Sequence, residues 1–513
     1  MVTSQECLRY LQTGAVSKGD ADISGQGVIL AFLISAYTSF AAVLIAYLAG
    51  MVEDELLTSV DKTVMRIRSR TICHPGIHET IRHVVLVLSD QQIVTGIAIM
   101  AAGFVGLHSG QMSVYHYQIV LYLAWLSSSV HLSALTLLRP FLNQHHGLRA
   151  WRLLGMAVLF IMLIVGLVPT VSYDWGIIYS PDADTSLPDA IQPTAWGIPA
   201  ICFWGKTYHD GVNDDAPIGY LILVLSYVWK AGDLFLWPRQ LYQQGIRRPL
   251  ESSMTRLLSV TAKQYLRSRK TRWLWCFRVS MMACIPLLAF MEVMASFSAS
   301  LWLSALGLAF GTIQIVVPRQ QNLAQTAAQE TEWGFGQLVP LVLLVQPLGA
   351  LSEHAWVRSN EGNAEHASRQ SHEVSNHISP KPTDYHDLTN DSETVSQADD
   401  HIRHLIPARS IVEVFDRQQF MREVGAETTS DWKPLKSTIL ASRLFALVVI
   451  VLHATILGAA CVILRLDARS IGYERGENWT FVLIAIGFYA VVSWLVLLIL
   501  GPFSRLGKAR WLA

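Results

Sequence analysis

Apolar residues along this 513-residue chain gather into long blocks separated by polar connections. A hydrocarbon core about 30 Å thick is crossed by about 20 residues of helix, and lipid obliges such a segment to satisfy its own backbone hydrogen bonds. Runs of that kind occupy residues 27–49, 93–107, 118–138, 151–171, 217–237, 273–297, 300–317, 334–351, 438–464 and 479–500. The second is short, and the seventh and eighth also fit the pattern poorly. Pro340 and Pro347 break the eighth, so it is kinked, re-entrant or spanning, because proline frees a backbone carbonyl that another group must satisfy. The pattern predicts an all-α, polytopic transmembrane helical bundle of about eight to ten spans with one long disordered loop. Residues 1–357 form the membrane bundle, 358–404 the polar loop, and 405–513 an amphipathic connector with the last two spans.

Loop charge orients the bundle, since short cytosolic loops are enriched in Lys and Arg. Residues 239–272 hold nine basic side chains against the single acid Glu251, which predicts a cytosolic loop. Residues 172–216 hold seven aspartates and one lysine, Lys206, which predicts the opposite side. Counting outward places the N-terminus outside and residues 50–91 inside. Residues 358–404 are rich in Ser, Asn, His, Asp and Glu, and so polar a segment cannot bury enough surface to order itself. If every run spans, this loop is outside, with its sequon at Asn390; if the eighth is re-entrant, it is cytosolic.

Composition narrows the function. Hydrophobic residues make up 52% of the chain, charged residues 15%, and mean hydropathy is +0.35. Ordinary soluble domains carry about 25% charged residues, so a soluble enzyme is excluded. Basic and acidic residues both total 39, which leaves no net field to attract a nucleic-acid backbone. The six cysteines show no paired spacing, so no disulfide framework is expected. The first 26 residues lack the pattern of a cleaved leader, and the first run reads as a retained span. No internal repeat or matched pair of broken helices points to an inverted-repeat transporter.

Fingerprints of soluble enzymes are absent. There is no phosphate-binding glycine loop or nucleophile elbow, and His78-Glu79 is followed by His83, one residue too far for a zinc helix. The histidines of the polar loop are irregularly spaced and read as solvated filler. Asp210, Asp214 and Asp215 lack the spacings that bind diphosphate-bound magnesium or protonate an alkene. No metal or cofactor is called for.

Ionisable residues in or beside spans are costly there and mark functional sites or structural pairs. Lys230 and Asp233 share a face of the fifth run. Glu53, Asp54 and Glu55 follow the first, Asp90 precedes the second, and Glu292 sits towards the outer end of the sixth, with Arg278 four turns earlier. His131 and His453 fall mid-span. On this orientation Glu53, Asp54, Asp90, Lys230, Asp233, Arg278 and His131 share the cytosolic half. A poorly hydrated carboxylic acid stays neutral and can protonate an apolar substrate. Asp233, Glu53, Asp54, Asp90 and Glu292 are therefore the candidate acids. Lys230, His131, Trp229 and Tyr37 are the candidate substrate contacts, the aromatic faces being suited to a cation.

Two stretches, Asp22-Ile23-Ser24-Gly25-Gln26-Gly27-Val28 and Trp333-Gly334-Phe335-Gly336-Gln337-Leu338, resemble a large group of fungal integral membrane proteins that includes the membrane-bound terpene cyclases of the ascofuranone type. The similar layout covers most of the chain apart from the polar loop. The resemblance implies secondary metabolism and cyclisation of an epoxidised farnesyl chain on an aromatic polyketide, a meroterpenoid, by protonation of the epoxide and ring closure. It supplies no catalytic motif; the candidate residues come from the membrane-acid argument alone. The leading expectation is thus a metal-independent cyclase in the endoplasmic reticulum or another endomembrane, with a lipophilic substrate, the bilayer and other membrane-bound pathway enzymes as partners. An exporter of a hydrophobic metabolite is the alternative, and a receptor or scaffold using the polar loop is the third reading.

Overall fold

A computed structural model describes residues 2–73, 75–177, 193–206, 208, 213, 215–235, 240–268, 270–347, 349, 352–353, 356, 436 and 439–470. The described chain is a bundle of α-helices, with two isolated backbone bridges and no longer strand pairing among the described residues. In order the principal helices are α1 (Ser4–Thr13), α2 (Gln26–Leu48), the short α3 (Ser59–Thr63), α4 (Pro75–Ser109), α5 (Val114–Gln144), α6 (His146–Gly166), α7 (Asp215–Leu234), α8 (Arg248–Ser268), α9 (Thr271–Met294), α10 (Phe297–Glu330), α11 (Phe335–Leu343) and α12 (Arg443–Ser470). Among the described residues seven helical segments are long and apolar enough to cross a membrane, as expected of an all-α membrane protein. The short second run proves to be the inner part of α4, whose 35 residues reach about 50 Å at 1.5 Å per residue. The polar loop and the run at 479–500 lie outside the described residues.

Helix α5 is the hub. Almost every side chain from Val114 to Leu138 is buried, because α2, α4, α6, α7 and α10 surround it. That explains its sequence: His116, Gln118, Ser127, Ser128, Ser129, His131 and Ser133 point in several directions, which a lipid-facing helix could not tolerate. Lipid tails are as apolar as leucine, so packing and interhelical hydrogen bonds, worth about 0.6 kcal/mol each on average, hold such bundles together. Gln118 donates to Gln314 of α10 at 2.7 Å, and Ser127 donates to Gln92 of α4 at 2.8 Å. By contrast α6 leaves Leu154, Val158, Ile161 and Val165 exposed, as the lipid-facing rim requires.

The two ends of the bundle differ in chemistry. At one end Cys7 of α1 is joined to Cys202 in the loop before α7, across 195 residues, and Ala15 pairs with Thr194. This corrects the expectation of no disulfide: no local spacing can announce a bond whose partners meet only when α1 docks on that loop. The other end carries Lys62, Arg66, Arg68 and Arg70 and receives α7 from the bundle. Disulfides persist in oxidising compartments and basic loops stay cytosolic, so the two signals agree on orientation.

Direction along α10 differs from simple counting. Its first amides, Phe297 N and Ser298 N, donate to Asp61 of the basic end, and its last residue, Glu330, accepts from Ser24 and Tyr115 at the disulfide end. Helix α9 therefore finishes at the basic end. Glu292 is there too, against Arg247, Glu251 and Lys436, and not towards the outer end, because the turn from α9 into α10 is held beside Asp61. From Glu330 the chain turns back: α11 begins beside Gly27 and descends along α2 until Leu343 O accepts from Gln91 of α4. A second apolar core, distinct from that around α5, joins α8, α9 and the start of α12 to Val60.

Candidate functional site

Helices α7 and α10 both pack on α5 but share few contacts with each other, which leaves a lateral cleft. Its floor is Trp125, Ser128, Ser129 and Leu132 of α5; Ile222, Leu223, Ser226 and Lys230 form one wall, and Leu303, Ser304 and Gly307 the other. The cavity between them is narrow, about 20 Å³, room for about one water molecule. Gly307 matters here, since a Cβ at that position would stand 3.0 Å from Ser129 Oγ and close the floor against the wall. Hydroxyl groups gather beside the cleft: Ser128 donates to Tyr227 at 2.8 Å, and Thr136 Oγ1 is 2.7 Å from Ser300 Oγ. Lys230, only 3% exposed, donates to Thr136 at 2.5 Å and to Ser300. The Trp125 indole donates to Gly307 O at 3.0 Å, which turns its ring along the cleft. A buried ammonium amid hydroxyls, with an apolar mouth, can engage one oxygen of an otherwise greasy molecule.

The other sequence candidates are dispersed. Asp233 is in the last turn of α7, one turn beyond Lys230; its side chain lies outside the described residues. Trp229 is half-buried and does not line the cleft, and Tyr37 is exposed on the lipid face, its hydroxyl 3.0 Å from Thr312 Oγ1. Glu53 is half-buried in the loop after α2, where burial, with Glu55 beside it, pushes its carboxyl up despite Arg82. Asp54 is exposed and pairs with Lys62 at 2.7 Å. Asp90 pairs with Arg152 of α6 at 2.6 Å, and His131 Nδ1 is 2.7 Å from Ser89 Oγ on the α4 side of α5. Glu292 belongs to a four-charge network: Arg247 bonds both Glu251, at 3.0 Å, and Glu292, at 2.5 Å, while Lys436 bonds them at 2.9 and 2.7 Å. Asp210 and Asp214 fall outside the described residues.

Among the described residues four buried charges escaped the sequence reading; one, Asp174, accepts from Tyr208 N at 2.8 Å. Asp61, fully buried, accepts from Tyr47 OH at 2.8 Å, from Thr58 N and Oγ1 at 2.9 Å, and from the first two amides of α10 at 3.1 and 3.3 Å. An anion there also meets the positive end of the helix dipole. Arg152, also buried, donates to Leu86 O at 2.9 Å as well as pairing with Asp90. Glu330 accepts from Ser24 at 2.5 Å and Tyr115 at 2.8 Å, with Arg319 at 3.6 Å. The signal for Glu330 was available: the polar stretch after Val317 contains no helix breaker past Pro318, so α10 continues to it.

The two quoted motifs dock on one another beside Glu330. Gln337 accepts from Gly27 N at 2.9 Å and donates to the carbonyls of Glu330 and Glu332 at 3.2 and 2.6 Å. Gly27 and Gly336 have to be glycine for space: a Cβ would sit 2.7 Å from Gln337 O and 2.2 Å from Asp22 Oδ1 respectively. The motifs thus make a helix junction at the disulfide end, remote from the Lys230 cleft.

No protein-family model matches the chain, and no solved structure does. It is similar to two proteins of Elsinoe fawcettii. One is the elsinochromes biosynthesis cluster protein HP3, 35% identical over 123 residues, 24% of this chain and 48% of that protein. The other is the elsinochromes biosynthesis cluster protein HP2, 26% identical over 242 residues, 39% of this chain and 60% of that protein. The chain spans about half to three fifths of the length of these curated relatives. Both belong to a fungal secondary-metabolite biosynthesis cluster.

Proposed function

We propose that the protein is a membrane-embedded enzyme of fungal secondary metabolism that takes an oxygen-bearing lipophilic substrate from the bilayer between α7 and α10, which part to admit it. The observation that carries this reading is Lys230, buried among hydroxyls in the wall of a cleft between two helices that barely touch. Of the buried or half-buried carboxylates, Asp61, Glu330, Glu292 and Asp90 are all engaged by protein donors or cations, which leaves them poorly placed to turn an oxygen to a substrate. The similarity to cluster proteins supports a biosynthetic role.

The chemistry that fits best is the opening of a terminal epoxide on a farnesyl chain. The Lys230 ammonium donates a hydrogen bond to the epoxide oxygen, and Asp233, one turn further along α7, supplies the proton. As the carbon–oxygen bond breaks, its electron pair stays on the oxygen, which becomes a hydroxyl. An alkene or a phenolic hydroxyl of the substrate attacks the electron-poor carbon, the ring closes, and a proton is released. The Trp125 face lines the path of the transient positive charge. An endomembrane location follows, with the disulfide end in the lumen and the substrate handed over by other membrane-bound pathway enzymes.

Microsomes carrying this protein as the sole added component, incubated with an epoxyfarnesyl phenol, should form an isomer of unchanged mass, separated by chromatography. Lys230→Met and Asp233→Asn should each lower its formation by about a hundredfold or more at unchanged expression, the range expected of general acid catalysis. Accumulation of unreacted substrate inside the vesicles, with no isomer, would make the protein a carrier instead.

A further inference from the structure

Helix α7 delivers the chain to the basic end, where Lys230 meets Thr136 and Ser300, and α10 departs from that same end, its first amides on Asp61. Between them α9 is a single helix of 24 residues with the composition of a membrane span. One crossing would leave Met294 at the disulfide end. It is instead at the basic end, so α9 uses its apolar length in another way.

Its partner α8 says how. The two helices form an antiparallel hairpin: Glu251 and Glu292 share Arg247 and Lys436 at one end, Met254 and Leu258 of α8 cluster with Cys284, Ile285 and Leu288 of α9, and only two residues separate Ser268 from Thr271 at the far ends. Arg256, Lys263 and Arg267 are exposed on α8. Each would cost about 2.5–3.5 kcal/mol at the centre of a bilayer, so α8 stays out of the hydrocarbon and holds α9 with it. Yet α9 exposes Trp275, Val279, Leu287 and Phe290 along its length, a stripe that water would leave uncovered. Arg278 stands over the Trp275 ring at 5.6 Å, a pairing suited to the headgroup level.

We infer that the α8–α9 hairpin is an interfacial element that lies along the bilayer surface at the basic end, the α9 stripe in the acyl boundary and the basic face of α8 against anionic lipid headgroups. Its charge complements an anionic leaflet, where each Lys or Arg near the surface contributes about 1 kcal/mol.

The full-length protein in sealed proteoliposomes tests it, with Cys73, Cys276, Cys284 and Cys461 replaced by alanine and the Cys7–Cys202 bond kept. Ala295→Cys should react with a membrane-impermeant maleimide from the same side as Ser253→Cys and from the side opposite to Glu332→Cys. Labelling of Ala295→Cys from the Glu332 side would establish a crossing and overturn the inference. A fluorophore on Val279→Cys should be quenched more by a shallow nitroxide-labelled lipid than by a deep one; stronger deep quenching, or none, overturns it as well. In phosphatidylserine-containing vesicles the combined Arg256→Gln, Lys263→Gln and Arg267→Gln changes should lower the shallow quenching at least about twofold. Equal quenching with and without these charges would reject the headgroup contact.

Discussion

Single residues at the basic end do more for the fold than their position in hydrated loops suggests. Asp61 accepts hydrogen bonds from five donors contributed by α2, by the turn that begins α3 and by α10. Asp61→Ala should cost at least about 3 kcal/mol, since several buried donors lose their acceptor together, and thermal unfolding in detergent measures this. Asp61→Asn, which keeps one acceptor oxygen, should cost less. Glu251 is the residue whose pairing pH will reveal. Burial pushes its carboxyl up, but the hydrogen bonds and charges of Lys436 and Arg247 outweigh that and hold it below its ordinary value of 4.5. A depressed folded-state value means that the stabilisation is present above the ordinary value and is lost as pH falls through the depressed one. Amide exchange in α8 should therefore quicken as pH falls below the ordinary value of 4.5, and Glu251→Gln should remove that part of the pH response.

At the scale of elements, the junctions matter more than the helices. The seam between α2 and α11 depends on the absence of a side chain at Gly27. Gly27→Ala should loosen α11 and lower the melting temperature, because the new methyl meets the Gln337 backbone. Gly147→Ala, in α6 with nothing nearby, should be neutral or slightly stabilising through helix propensity. The link between α1 and the loop before α7 has a chemical signature. Alkylation of the denatured, unreduced chain should modify four cysteines, Cys73, Cys276, Cys284 and Cys461, and two more after reduction, as counted by intact mass. Six reactive thiols without reduction would remove the bond and its evidence for an oxidising compartment.

For the molecule as a whole, one polar helix in the middle organises the rest. Helix α5 presents hydrogen-bonding groups to α4, α7 and α10, and the cleft that holds Lys230 exists because two of its neighbours meet it at separate faces. Widening that cleft is a global perturbation with a local readout. Trp125→Phe removes the hydrogen bond to Gly307 O and should alter substrate affinity more than stability, a split that KM and melting temperature measured on the same preparation would show.

What the chain of amino acids determined alone was the class of protein, and its loop charges carry the expectation of orientation. Twenty-residue apolar blocks can satisfy their backbones in lipid only as helices, and clustered Arg and Lys resist translocation, so both properties follow from local composition. Lys230 was legible for the same reason, as a charge that a span cannot carry idly. Tertiary structure decided the rest. Asp61 reads as one more acid in a hydrated loop until the N-terminus of α10 arrives beside it, and Cys7 reads as unpaired until α1 docks against residues 193–206. The supposed cluster that includes Asp54, Asp90, His131 and Lys230 is divided among separate contacts, because depth in a membrane fixes one coordinate of a residue and the azimuth of its helix fixes another. Composition reports the depth. Only the packing of helices around α5 sets the azimuth, and with it which polar groups meet.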